Sequence, residues 1–315
     1  MIRLLSAAVL LAGLLVGAAP ASAAVYTKGA IEEVTGFGSN PGNLRMFQYV
    51  PDGLPAGRPV VVALHGCTQT AAAYGTGAGW TQLADRWGFT VVLPEQQTAN
   101  NLNRCFNWFE PGDTARGQGE AESVAQMVRH TGASPAYVTG LSAGGAMTAV
   151  LLATYPEMFA GGGVVAGIAY HCATSVLDAY TCMNPGRNLS PGQLGDAVRG
   201  ASGHTGPWPT VSIWQGTADH TVAPANAADL VDQWTNVHGI SQDPTGTDTV
   251  DGYPHATYAA GGRTVVETYT ITGMGHGQPL DPGTGDGQCG QAGAYLLDVN
   301  LCAAWHLAAG WGLPG

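Results

Sequence analysis

Strand-length apolar runs recur along this chain with helical stretches between them, and they constrain its fold more than any other feature. Pro59 to His65 (PVVVALH) and Phe89 to Pro94 (FTVVLP) are almost continuously apolar, not alternating, which marks strands covered on both faces. Leu44 to Val50, Ala136 to Leu141, Gly163 to Ile168, Thr210 to Gln215 and Thr264 to Thr272 read as further strands. Thr81 to Trp87, Glu120 to His130, Ala143 to Tyr155 and Ala225 to Val237 read as helices, with a last helix expected near Ala292 to Leu307. This alternation predicts parallel βαβ units in a doubly wound, mostly parallel α/β sheet. Residues 24–315 are expected to form a single domain. Tyr170 to Pro209, rich in Gly, Pro, Ser and Asn, reads as a short disulfide-bearing insertion over the sheet's carboxyl edge, where such sheets hold ligands.

Residues 1–23 place Arg3 before an apolar run and end in Ala21-Ser22-Ala23, the pattern of a signal peptide cut before Ala24. The run is too short for a bilayer-spanning helix, so a secreted, extracellular monomer is expected, with no membrane partner. Charged residues make up 10% of the chain and the formal net charge is -11, with Lys28 the one lysine. Nucleic acid is therefore excluded as a partner, because binding it requires clustered basic residues, and a neutral substrate fits better. The six cysteines are an even set in an exported chain and read as disulfides. The simplest of the 15 pairings joins neighbours: Cys67 with Cys105, Cys172 with Cys182, and Cys289 with Cys302. Zinc is the rival reading, but no Cys-x-x-Cys occurs.

Gly140-Leu141-Ser142-Ala143-Gly144 is a G-x-S-x-G sequence placed directly after one expected strand and before one expected helix. That context forces a sharp turn with the serine hydroxyl exposed, the nucleophile elbow of an α/β-hydrolase fold. A serine hydroxyl needs a base to take its proton and an acceptor to orient that base. In this fold the chain order is Ser, then Asp or Glu, then His. Asp219 follows the strand Thr210 to Gln215 and fits the acid. His276, in Gly273-Met274-Gly275-His276-Gly277 after the strand Thr264 to Thr272, fits the base, whereas His238 and His306 fall on helices. The plain alternatives are a non-catalytic Gly/Ser turn, a capping aspartate and an ordinary loop histidine. Oxyanion donors are expected from the backbone amides of Ala143, the residue after the nucleophile, and Cys67, which ends the apolar strand at His65-Gly66-Cys67.

His65-Gly66-Cys67-Thr68-Gln69, Cys105-Phe106-Asn107-Trp108-Phe109 and Gly140 to Met147 resemble the secreted polyhydroxybutyrate (PHB) depolymerase family of esterases. That family is related to the feruloyl and acetylxylan esterases of carbohydrate esterase family 1, and the similarity extends over nearly the whole chain after the leader. The resemblance implies a cofactor-free serine esterase acting on a hydroxyalkanoate polyester or, alternatively, on acylated plant polysaccharide. It carries the oxyanion loop, Ser, Asp and His onto Cys67, Ser142, Asp219 and His276. Many dedicated depolymerases add a linker and a polymer-binding domain, which are not expected here. Trp108, Phe109 and Tyr74 are candidate substrate-lining residues, against the alternative that they only pack. A non-catalytic binding protein on the same scaffold is the reading from another class. The loop Asp281 to Gly287 (DPGTGDG) looks oxygen-rich but lacks EF-hand spacing, so no metal is expected there.

Overall fold

The computed structural model describes residues 28–314; the expected leader, residues 1–23, lies outside them. Ten strands form one sheet: β1 (Ile31–Val34), β2 (Arg45–Tyr49), β3 (Val60–Leu64), β4 (Thr90–Glu95), β5 (Ala136–Leu141), β6 (Phe159–Val165), β7 (Thr210–Gly216), β8 (Gly246–Val250), β9 (Tyr253–Ala260) and β10 (Arg263–Ile271). Their spatial order is β1-β2-β4-β3-β5-β6-β7-β10-β9-β8. The six strands from β4 to β10 in that order run parallel. Antiparallel pairs extend the sheet at both ends. It is the mostly parallel sheet of an α/β-hydrolase-like fold.

Every residue of β3, β4 and β5 is buried, because helices cover both faces. The helices are α1 (Ala71–Gly77), α2 (Trp80–Trp87), α3 (Pro111–Thr114), α4 (Gly119–Thr131), α5 (Ala143–Thr154), α6 (Val176–Met183), α7 (Pro191–Ala201), α8 (Ala225–His238) and α9 (Ala303–Gly310). Along β3 the side chains alternate between two cores: Val60, Val62 and Leu64 pack with α4, α5, α7 and α8. Val61 and Ala63 pack with α1, α2 and α9. The period of two along a strand thus feeds both layers.

Three segments differ from the reading of the sequence. The last helix starts at Ala303, not near Ala292. The residues before it form short strands, β11 (Gln278–Leu280) and β12 (Leu296–Asp298), which pair in parallel. Gly290 and Gly293 and the Asp298-Val299-Asn300 turn leave that stretch without a helical pattern. The insertion from Tyr170 is helical, supplying α6 and α7. Finally, β8 and β9 form a hairpin that continues into β10. The six cysteines pair in chain order, Cys67–Cys105, Cys172–Cys182 and Cys289–Cys302, so no thiol is left for zinc.

Candidate active site

The turn between β5 and α5 is dictated by close packing. Ser142 holds a positive φ of 59° and ψ of -118°, a strained backbone for a residue with a side chain. A Cβ on Gly140 would lie 2.4 Å from the backbone of Gly144, and one on Gly144 would lie 2.2 Å from the carbonyl oxygen of Leu64. Only glycine lets β5, β3 and α5 approach so closely. The turn is anchored where the Ser142 amide donates to the Val165 carbonyl, 2.9 Å away.

The loops after β7 and β10 bring two further side chains to this turn. His276 Nε2 lies 2.9 Å from Ser142 Oγ, and its Nδ1 lies 2.7 Å from Asp219 Oδ2. With Nδ1–H donated to Asp219, Nε2 is left facing the serine hydroxyl, whose proton it can accept. Asp219 is only 2% exposed, and burial alone would push its carboxyl up. The hydrogen bond and charge of His276, with the amides of Val222 and Thr221, outweigh burial and hold it below its ordinary value. Both amides donate to Oδ1 at 2.9 Å, and Gln215 Nε2 donates to Oδ2 at 3.2 Å. The acid is therefore an ionised, fixed acceptor. The sequence gives no signal for Gln215, Thr221 or Val222 in this role.

Beside the serine lies a cavity of about 110 Å³, lined by Gly66, Cys67, Gln69, Leu141, Thr221 and Tyr295 together with Ser142 and His276. Larger clefts of about 420 and 930 Å³ open at the amino ends of the parallel strands, away from this chemistry. Among the described residues, no hydrogen bond occupies the amides of Cys67 or Ala143. The neighbouring Gly66 amide is already given to Gln69 Oε1 at 2.9 Å. Two free amides near a hydroxyl paired with imidazole form an arrangement that can stabilise the oxyanion of acyl transfer.

The loop bearing Cys67 is fixed from several sides. Its disulfide to Cys105 and the Thr68 amide donating to the Asn103 carbonyl at 2.6 Å bind it to the loop after β4. Buried His65 donates from Nδ1 to the Gly66 carbonyl at 2.7 Å and accepts the Gln96 amide at Nε2, 3.1 Å away. Burial lowers its pKa to about 4, so it is neutral and structural. Behind it Gln96 Nε2 donates to Glu120 Oε1 and to the Cys105 carbonyl, while the Asn107 amide donates to Glu120 Oε2. Burial, and secondarily the charge of Asp113, raises Glu120 to about 8.

The family described as Esterase PHB depolymerase matches residues 44–252. The chain is also 56% identical, over 94% of its length and 73% of the relative's, to Poly(3-hydroxyalkanoate) depolymerase C of Paucimonas lemoignei. It belongs to the PHB depolymerase esterase family. It is accordingly a carboxylic ester hydrolase. Feruloyl esterase B of Neurospora crassa is 35% identical over 80% of this chain and 89% of its own. Acetyl xylan esterase from Aspergillus awamori superimposes with a TM-score of 0.72 at 30% identity, covering 79% of this chain and 94% of its own.

Within this esterase the remaining candidates separate. Tyr74 is a correction: it is fully buried on α1, with its hydroxyl donating to Gln278 Oε1 at 3.0 Å, and lines no part of the serine cavity. Trp108 is buried edge-on against Phe109, with centroids 5.4 Å apart, and neither lines that cavity. Both pack in the core under α4 and α5. Tyr295, which carries no sequence signal, lines the cavity with its ring centroid 6.1 Å from that of His276. The rival histidines are engaged elsewhere, His238 with the Pro209 carbonyl and His306 with Asp251. In the 281–287 loop, Arg86 pairs with Asp286 and donates to the Gly285 carbonyl at 2.9 Å, and no metal-binding cluster occurs among the described residues.

Proposed function

We propose that this chain hydrolyses the ester bonds of a poly(3-hydroxyalkanoate), or its oligomers, through an acyl-enzyme on Ser142. The observation that carries the chemistry is the unbroken chain from Ser142 Oγ through His276 to Asp219, at 2.9 and 2.7 Å, on a strained elbow. His276 takes the serine proton as Oγ attacks the carbonyl, and the amides of Cys67 and Ala143 receive the oxyanion. His276 then protonates the leaving alcohol and activates the water that releases the acid, while Asp219 stabilises the imidazolium. Nothing in these steps requires a cofactor. The 56% identity to a depolymerase supports the polyester over other acyl donors.

Feruloyl or acetyl esters on polysaccharide are the second reading, favoured by the Neurospora crassa and Aspergillus awamori relatives. A non-catalytic scaffold fits poorly, since an unused nucleophile would not need a strained backbone. The leader read in residues 1–23 and three disulfides support work outside the cell. Two measurements test the reading. Ser142→Ala should lower hydrolysis of a chromogenic butyrate ester by about 10⁶-fold; wild-type turnover would overturn the mechanism. Amorphous polyhydroxybutyrate should release 3-hydroxybutyrate or its oligomers. Ferulate or acetate released from arabinoxylan, with none from the polyester, would transfer the protein to the second reading.

A further inference from the structure

Two of the side chains that line the serine cavity hold a positive φ, Ser142 and Tyr295, both at 59°. At Ser142 the strain belongs to the nucleophile elbow. At Tyr295 no tight turn between strand and helix demands it, and an aromatic residue is ill suited to a left-handed backbone that glycine or asparagine adopts readily. Strain of this kind persists where the surrounding structure over-determines it, and it gathers at functional sites.

The surroundings here hold Tyr295 from both sides. The Gln278 amide donates to its carbonyl at 2.8 Å, and Gly277, the neighbour of His276, packs so close that a Cβ there would lie 3.0 Å from the same oxygen. Gly293 and Leu296 exchange backbone hydrogen bonds of 2.9 and 3.0 Å around it, and the Leu296 side chain is buried. Gln69 Nε2 donates to the Ala294 carbonyl at 3.4 Å, the Gln291 amide donates to the Gly77 carbonyl at 2.8 Å, and Cys289 is bridged to Cys302.

The side chain held up by this frame is 48% exposed, and its hydroxyl makes no hydrogen bond among the described residues. Its ring stands edge-on to His276, with centroids 6.1 Å apart and planes at 73°. Phenylalanine would serve that contact equally well, so the hydroxyl is the part that the fold leaves unused. Gln69, in the same wall, is already committed to the Gly66 amide and the Ala294 carbonyl.

Position decides what the free hydroxyl can reach. In ester hydrolysis through Ser142, His276 protonates the leaving alcohol, so the alcohol departs along the imidazole, on the side that Tyr295 walls. In a poly(3-hydroxyalkanoate) that alcohol is the 3-hydroxyl of the next unit, which carries its own carbonyl two carbons further on. A simple alkyl alcohol has no such acceptor.

We propose that Tyr295 is a specificity-determining residue for the leaving group: its hydroxyl donates to the carbonyl oxygen of the hydroxyalkanoate unit being released, while its ring walls the alcohol side of the cavity. The inference rests on the polyester reading above. The test compares two soluble esters with the same acyl part, methyl 3-(butanoyloxy)butanoate and sec-butyl butanoate, which differ in whether the released alcohol carries a carbonyl. Wild type should prefer the first by about tenfold in kcat/KM, the worth of one well-placed hydrogen bond. Tyr295→Phe removes one oxygen that nothing in the fold bonds, so its melting temperature should be unchanged, while the preference should fall to within about twofold of unity. A ratio in Tyr295→Phe equal to that of wild type, however far both rates fall, would overturn the assignment. So would a wild type that shows no preference yet releases 3-hydroxybutyrate from amorphous polyhydroxybutyrate. No 3-hydroxybutyrate from the polymer would instead sink the polyester reading itself, whatever the ester pair shows.

Discussion

Asp219→Asn keeps the shape of the side chain but puts an amide where His276 Nδ1–H needs an acceptor, favouring the imidazole tautomer that cannot take the serine proton. Turnover of the soluble ester should fall about 10⁴-fold while circular dichroism stays native. Two buried groups near the oxyanion loop control stability with pH in opposite senses. His65, lowered to about 4, stays neutral in the fold while the unfolded chain takes up a proton near pH 6.5, so stability falls as pH drops from 6.5 towards 4. Glu120, raised to about 8, stays protonated in the fold while the unfolded chain ionises near 4.5, so stability falls as pH rises between 4.5 and 8. Above pH 6.5 only the second effect operates, with a limiting slope of about 1.4 kcal/mol per pH unit. Urea unfolding of Glu120→Gln from pH 6.5 to 8 should therefore be flatter than wild type; parallel curves would show that Glu120 is already ionised. Residues whose chemistry demands a particular neighbourhood were legible: a serine between glycines, then an aspartate and a histidine after later strands, meet in space. Tyr74 and Tyr295 were not, because sequence tells little of which way an aromatic points. The Gln96–Glu120 network was not legible either, since its partners are distant in the chain.

The β5–turn–α5 unit tolerates no added atom at its glycines. Gly144→Ala drives a methyl into the Leu64 carbonyl, so it should yield insoluble protein or a soluble enzyme with Ser142 misplaced and activity down by at least about 10²-fold. The Cys67–Cys105 bridge spans 38 residues, and its removal should cost up to about 4 kcal/mol in chemical denaturation. If, as proposed, the Cys67 amide that this bridge holds receives the oxyanion, Cys67→Ser/Cys105→Ser should lose kcat on the soluble ester, while Cys172→Ser/Cys182→Ser should not. Equal kcat in the two variants would make the first bridge purely a staple. Buried parallel strands were legible from their continuous apolar runs. The hairpin from β8 to β9 and helix α7 were not taken from the sequence, although each carries a local signal. Asp251-Gly252, both at positive φ, is a hairpin dipeptide, and Ser190-Pro191-Gly192-Gln193 forms a capping box. The apolar periods beside them are weak, because β8 is largely exposed and α7 holds three glycines.

At the scale of the whole molecule, the net charge of -11 and a serine cavity lined by no Asp, Glu, Lys or Arg have separate consequences. A neutral ester gains nothing from long-range attraction, so kcat/KM on the soluble butyrate should change by less than about twofold between low and high salt; a steep fall would point to an anionic or cationic site not yet identified. The acidic residues matter more at the two ends of the sheet. The terminal strands β1 and β8 each leave one side without a strand partner, and they carry Glu32 and Glu33 on one and Asp248 on the other. Like charges there keep two molecules from zipping their backbones together. Near pH 5.0, where the chain approaches its isoelectric point, the net repulsion between whole molecules fades. Loss of protein from solution at that pH should proceed by strand-to-strand growth of native molecules into thioflavin-positive chains, reversible on return to neutral pH, so the colloidal limit of this enzyme is set by the bare flanks of its sheet.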